Sequence, residues 1–372
     1  MQYSNVDIPL FKVLMSAEAK VAAGNVLESG FIGQGPIVDI FEKELESFLN
    51  GRVLTVNSCT SAIHLVLHML RNEKRKNILT VPITCLATNL PILECGFNTV
   101  WVDTDIHTCN MDLFDLSKKI DENTLAVMLV HWAGYPVNMH ELEIILDKAE
   151  MLYGFRPYLI EDCAHAFGST YMGRNVGTWG FGCYSFGPIK HLTCGDGGAL
   201  ICPSVEFYKR GKLLRWYGLD RTGKSDFRCG QEVSDWGLKF HMNDISASIG
   251  RENLKIIKPF LDHQKSNGAF LDNALKGIDG LTLLERNSGH DSAHWIYTIL
   301  VENRDFFIKK MNSCGIGCSR VHDRNDKNPC FGVSVDLPGT DYVVERMVSI
   351  PCGWWVGRED LEYMVRIIRS GW

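Results

Sequence analysis

Apolar residues gather in short runs from Gly51 onward, at residues 53–56, 78–81, 99–102, 125–130 and 158–161, each rich in Val, Ile and Leu. Runs this short that are apolar on both faces read as strands buried within a parallel sheet. Between them the pattern takes a helical period over residues 60–71, 86–94, 111–120 and 140–150. That alternation predicts an α/β domain in which helices form the crossovers of a mostly parallel central sheet. Residues 181–186 and 199–202 add two strands, read as a hairpin-like pair at the sheet edge. Upstream, residues 37–49 read as a helix entered from a loop.

From about Asn243 the pattern changes. Residues 245–275 read as long helical material, followed by strands at 281–284 and 294–301, a helix at 304–314, a strand at 318–321 and a last helix at 359–368. These predict a smaller C-terminal α+β domain, with the division at residues 1–255 and 256–372. A chain of 372 residues exceeds what one core usually serves, so two domains fit its length.

Composition changes this picture little. Apolar residues make up 45% and charged ones 22%, and 38 basic against 44 acidic side chains leave a formal charge of −6. No general pull toward nucleic acid or an anionic membrane follows, so an anionic ligand must be held by a local site. The 13 cysteines are scattered, with no pair-of-pairs suggesting zinc, and no metal is expected. The first residues lack a basic region followed by an apolar core, and no apolar run approaches membrane-spanning length. A reducing cytoplasm is the expected setting.

Candidate chemistry concentrates between residues 159 and 200. Ile160-Glu161-Asp162-Cys163-Ala164-His165 is followed by Ser185-Phe186-Gly187-Pro188-Ile189-Lys190 and by Gly195-Asp196-Gly197-Gly198. Asp162 closes a predicted parallel strand, where open α/β sheets bind ligands, while Glu161 alternates to the opposite face. Lys190 lies among Phe, Gly, Pro and Ile, where loss of water lowers an amine's pKa and raises its nucleophilicity. Ser185 is within reach of a phosphate, and the glycines let the backbone pass close to a ligand. A lysine amine that condenses with an aldehyde, and an acid that keeps a pyridine nitrogen protonated, are what pyridoxal phosphate (PLP) enzymes need. Alone, Asp162 would read as a turn former, His165 as a structural histidine and Lys190 as a surface charge; the ordered set argues otherwise.

Two further motifs bear on ligand binding. Asn57-Ser58-Cys59-Thr60-Ser61-Ala62 sits between a strand end and a helix start, where Ser58 or Thr60 can cap and the remaining N–H groups form a phosphate cradle. An ordinary capping turn would look the same, and no GK[ST] follows to make it a P-loop. Gly33-Gln34-Gly35 has no preceding strand and no third glycine, so it reads as a loop.

Taken in order, these residues resemble nucleotide-sugar aminotransferases of the DegT–StrS type, which are fold type I PLP enzymes, over nearly the whole chain. Gly30 to Gly35 with Phe41-Glu42 looks like the family's opening pattern, and 57–62 like its phosphate loop. Thr84-Cys85-Leu86-Ala87-Thr88, Val102-Asp103 and His131-Trp132-Ala133-Gly134 follow. Gly237–Gly250 resembles the segment that reaches into a neighbouring subunit. The resemblance implies that Lys190 forms the Schiff base and moves the proton, that Asp162 pairs with the pyridine nitrogen, and that Ser58, Cys59, Thr60 and Ser185 hold the phosphate. His165 would lie beside the cofactor. Lys239, His241 or Asn243 of a partner subunit would complete the phosphate site, giving a homodimer with two shared sites. Phe31, Arg215, Trp216, Tyr217, His322, Arg324 and Asn325 are the candidates for contacting sugar or diphosphate.

The implied reaction moves an amino group from L-glutamate to a keto group of a nucleotide-linked, 6-deoxy hexose in amino-sugar biosynthesis. The pattern departs from the family at Cys85, where an aromatic residue usually stacks on the cofactor, at Cys59, where the loop usually has glycine, and at Asp196 in place of glutamate. Rival readings are a PLP-dependent sugar dehydratase, in which histidine replaces the lysine, a PLP lyase, and a catalytically silent PLP-binding regulatory protein. Lys190 argues against the first and the last, although His191 stands next to it.

Overall fold

Seven strands form the central sheet of the computed structural model, in the order Arg52–Val56, Gly198–Cys202, Phe181–Ser185, Tyr158–Asp162, Thr124–Val130, Asn77–Thr80 and Asn98–Trp101. The structure describes residues 7–221 and 230–372; residues 1–6, where no leader pattern was read, lie outside them. Each of these strands forms within one residue of its predicted ends. Six run in one direction, and Gly198–Cys202 alone runs against its neighbours.

The hairpin-like pair is real, since Phe181–Ser185 and Gly198–Cys202 are antiparallel, but it does not stand at the edge. Gly198–Cys202 also pairs with Arg52–Val56, which becomes the edge strand. All five residues of Gly198–Cys202 are buried, as an interior position requires. Alternation along these strands feeds two cores. Leu54, Leu200 and Cys202 pack with the helix Cys59–Leu70 on one face. Val53, Ala199 and Ile201 pack with Phe41 and Leu45 of the helix Pro36–Leu49 on the other. A period of two along each strand produces this division.

A second, antiparallel sheet is built from Leu281–Leu283, Tyr297–Val301 and Met347–Ile350. The expected strand at 318–321 is absent; only a single bridge, Ser319 to Ser349, forms there. Its place is taken by Met347–Ile350, preceded by the helix Pro338–Arg346. That helix buries only Thr340 and Val343, too sparse an apolar face to declare itself locally. The N-terminal helix Ala17–Ser29, likewise unpredicted, buries only Ala19 and Val26.

The long helix Asp244–Ala274 runs without a break through position 255, the expected division. Ile257 and Leu261 belong to the core of the large sheet, while Leu271 packs in the core of the small one. One rigid element therefore ties the two sheets together. Among the described residues, no helix is long and apolar enough to cross a membrane.

Two buried histidines lie where these parts meet. His191 donates from Nε2 to the Ala293 carbonyl at 3.0 Å, and the His294 ring fills the space left by the missing side chain of Gly268. Burial pushes His191 down to about 4 and His294 down to about 3, from an ordinary value of 6.5. In the unfolded chain both take up protons below about 6.5, whereas the folded protein refuses them until far lower pH. Their stabilisation is therefore complete above pH 6.5 and is lost as pH falls toward 4. Urea denaturation should give a stability lower at pH 5 than at pH 7.5 by on the order of 2 kcal/mol per histidine. Equal midpoints at the two pH values would contradict the burial of these rings.

Candidate active site

Asp162 is the last residue of its strand, at the carboxyl end of the parallel strands. The side chain is buried, and both oxygens are engaged: Oδ1 accepts from Ala164 N–H at 2.9 Å and Oδ2 accepts from Thr88 Oγ1 at 2.7 Å. Thr84 Oγ1 lies 2.8 Å from Thr88 Oγ1 and donates to it, since the Thr88 proton is committed to the carboxylate. Burial raises the Asp162 carboxyl above its ordinary range; the Ala164 N–H, Thr88 and the charge of Lys190 oppose it, in that order. Glu161 faces the opposite side, as its alternation requires. There it accepts from the N–H groups of Gly177, Trp179 and Gly180 and from His131 Nε2. His131 Nδ1 accepts from Val137 N–H, so Nε2 carries the ring proton and the pair is fully satisfied.

Lys190 stands in the turn after Phe181–Ser185, its N–H donating to the Gly187 carbonyl at 3.2 Å. The residue keeps some exposed surface, yet its amine sits deep enough for burial to push it down to about 8, with Asp162, Cys59 and Cys85 opposing. Its Nζ lies 3.9 Å from the centre of the Trp295 ring. His165 stacks on the same indole, centroids 3.9 Å apart and planes 13° apart, and His322 lies nearly parallel to His165 at 5.6 Å. Burial holds both imidazoles neutral: His165 is pushed well below its ordinary value and His322 down to about 4. Within the described residues His165 Nδ1 and His322 Nε2 have no partner. His191 is turned away to the Ala293 carbonyl, so the lysine and not its neighbour faces Asp162.

The candidate anion cradle is the start of the helix Cys59–Leu70. Ser58 is its N-cap and accepts from Ser61 N–H at 3.1 Å. The Cys59 and Thr60 N–H groups are those that helix geometry leaves without an internal acceptor. Cys59 directs its thiol toward Asp162, 3.9 Å from Oδ1. Crowding from Cys59 is met by Gly198, where an added Cβ would lie 2.5 Å from the Ser58 carbonyl carbon and 2.6 Å from Cys59 N. The glycine thus lets the central strand pass beneath the helix start. A buried acid, a primary amine of lowered pKa, a helix-start cradle and an unpartnered His165 nitrogen together fit PLP. Lys190, Asp162, His165, Ser185 and residues 58–60 are the ones that would hold it.

Not every expected residue joins this group. Arg324 is buried and paired through two bonds of 2.7 Å to Asp326 and through a further contact to Asp341, so its guanidinium is committed to the protein. Asn325 donates to the Cys85 carbonyl at 3.3 Å and anchors the loop that carries Cys85. Arg215 is buried against Glu42 and the Thr55 carbonyl. The Arg324 guanidinium and the Asn325 amide are thus engaged by other protein groups, whereas Arg215 uses Nη1 for both of its contacts and leaves Nη2 buried without a partner among the described residues. Cys85 is exposed at the start of the helix Leu86–Glu94. Trp216, Tyr217, Lys239 and His241 form a separate cluster: His241 stacks on Trp216 at 3.4 Å, and Lys239 Nζ lies over both aromatic rings. It extends the sheet edge, with Phe240 accepting from Asn57 N–H. Asn243 caps the long helix, accepting from Ser246 N–H at 2.9 Å. Phe31 is exposed beside Gly35 and lines a surface cavity with Pro36 and Asp244. Thr88 and Trp295 were missed. Thr88 stood in a motif without an assigned role, and Trp295 carries no local signal.

The sequence profile of the DegT/DnrJ/EryC1/StrS aminotransferase family matches residues 14–369. AtS13 from Actinomadura melliaura is 44% identical over the full length of both chains, with a TM-score of 0.96. The sugar aminotransferase CalS13 from Micromonospora echinospora is 39% identical over 98% of this chain and 100% of that one, with a TM-score of 0.95. Spr1654 from Streptococcus pneumoniae, solved in a PLP form, is 22% identical over 98% of each chain and shares the fold at a TM-score of 0.89.

Replacing Thr88 by valine keeps its shape and removes a donor from a buried carboxylate. Thr88→Val should destabilise the cofactor-free protein by about 1.5–3 kcal/mol at neutral pH, with a smaller loss at pH 4, where Asp162 is more protonated. Chemical denaturation at both pH values measures this; an equal loss at each would mean that Thr88 does not serve the charged form.

Proposed function

The chain belongs to the DegT/DnrJ/EryC1/StrS aminotransferase family, and from that premise we propose that it moves an amino group from L-glutamate to a keto carbon of a nucleotide-linked 6-deoxy hexose, using PLP. The observation that carries this reading is an amine of lowered pKa, Lys190, within reach of the charge of the buried acid Asp162 at the carboxyl end of the sheet. The 39% identity to a sugar aminotransferase supports the choice of a sugar as acceptor.

Bound PLP supplies an aldehyde that condenses with primary amines and a ring that draws electrons from the attached carbon. The chain's own residues do the rest. Lys190, with its amine brought down to about 8, has a usable neutral fraction near physiological pH and can take a proton at Nζ and return it. Asp162 presents a carboxylate whose two oxygens are held by Ala164 and Thr88, so it meets a ring nitrogen without reorganising. Cys59 and Thr60 offer N–H groups and the positive end of the helix dipole to a phosphate. His165 and His322, neutral and flat, wall the site and leave Nδ1 and Nε2 for polar groups of a ligand.

We further propose a homodimer with shared sites, working in the cytoplasm. Lys239 and His241 lie on the edge beyond Val56, where a second copy would meet them.

Three measurements test these proposals. Incubation with L-glutamate should release 2-oxoglutarate, and nucleotide-linked keto hexoses offered next should gain an amino group detectable by mass. Absence of aminated product across thymidine-, uridine- and guanosine-linked sugars would overturn the acceptor assignment. Lys190→Ala should abolish both half-reactions while the fold, read by circular dichroism, is kept. Mixing Lys190→Ala with Lys239→Ala subunits should restore activity through the one intact site of each hybrid; dead hybrids would count against site sharing.

A further inference from the structure

Trp295 comes from the segment just before the strand Tyr297–Val301, more than a hundred residues from Lys190, and is buried against it. Its backbone N–H donates to the Ala133 carbonyl at 2.9 Å. That approach depends on Gly134, at φ +92°, where a Cβ would lie 2.8 Å from the His165 carbonyl and 3.0 Å from His294 N. Its indole Nε1–H donates to the Ile189 carbonyl at 2.8 Å, one residue before the lysine. The ring carries Lys190 Nζ at 3.9 Å and stacks with His165 at 3.9 Å, and Phe11 leans on it at 5.0 Å.

We infer that Trp295 is the positioning residue of Lys190: its N–H fixes the backbone of the lysine's turn, and its ring face holds Nζ in place. This deepens the reading above and rests on Lys190 being the reactive amine. An amine that takes and returns a proton must stay in register while its charge changes, and an indole face attracts the charged form without removing the proton. The groups facing Lys190 are Asp162 and His165 from the strand end, Cys59 from the helix start, Cys85, His322 and the adjacent His191. The three histidines are neutral, which leaves the Asp162 charge and the Trp295 face as principal supports for the ammonium.

Reductive 13C-methylation of the cofactor-free protein, with Lys190→Arg used for assignment, reads the geometry directly by NMR. The Lys190 methyl signal should be displaced upfield by the indole ring current. In Trp295→Leu the displacement should vanish and the midpoint of that signal's titration should fall by about 0.5–1 pH unit, the size of a partly desolvated cation–π contact. In the loaded enzyme the acid limb of kcat should move down with it while cofactor affinity is kept. An unshifted methyl signal in the parent protein would overturn the inference even if the leucine variant failed to fold. So would a folded leucine variant with the parent's midpoint. Because the NMR readings need no cofactor or sugar, a failure of the proposed reaction leaves them standing and is seen separately.

Discussion

Taking a lysine amine and an aspartate carboxyl out of water within reach of each other's charge is the constraint from which the rest of this structure follows. Burial alone would neutralise both groups, raising the acid and lowering the amine. Each limits the shift of the other, and the Ala164 N–H and the Thr88 hydroxyl further support the carboxylate. The outcome is an amine near 8 rather than one fixed as a cation. That poise needs the carboxyl end of a parallel sheet, because there strand ends, helix starts and loops converge without a covering layer.

The inserted antiparallel strand is the second requirement. Gly198–Cys202 returns between Phe181–Ser185 and Arg52–Val56 and so sits directly under the start of the helix Cys59–Leu70. A side chain at 198 would collide with Ser58 and Cys59, so the cradle and the turn holding Lys190 are joined through one residue without a Cβ. The cysteine at 59, which crowds this turn, is accommodated because its thiol finds room toward Asp162.

The C-terminal part contributes more than a second core. Trp295 and His322 reach to the lysine and to His165, and Asn325 ties down the loop carrying Cys85. Arg324 is held by the buried Asp326 and by Asp341 at the surface, so its buried charge is satisfied internally. Such a group contributes little net stability but penalises any other arrangement of the segment that carries His322. Of the three candidate ligand contacts in this segment, His322 stands beside His165, while Arg324 and Asn325 are engaged by other protein groups.

What the chain's linear order determined by itself was considerable: the seven strands, the crossover helices, Asp162 at a strand end, Lys190 in an apolar turn and a capping hydroxyl at position 58 or 60. Each of these is a local property, written in periodicity or in the chemistry of adjacent residues. Only the tertiary structure decided that Arg52–Val56 is the edge strand, that Met347–Ile350 supplies the third strand of the small sheet, that Arg324 and Arg215 are paired internally, and that Thr88 and Trp295 serve Asp162 and Lys190. The reason is physical. Periodicity reports which side of an element is dry, but not which side chain meets it there: the acids that hold Arg324 lie 2 and 17 positions away, Thr88 lies 74 from Asp162, and Trp295 lies 106 from the Ile189 carbonyl that it binds.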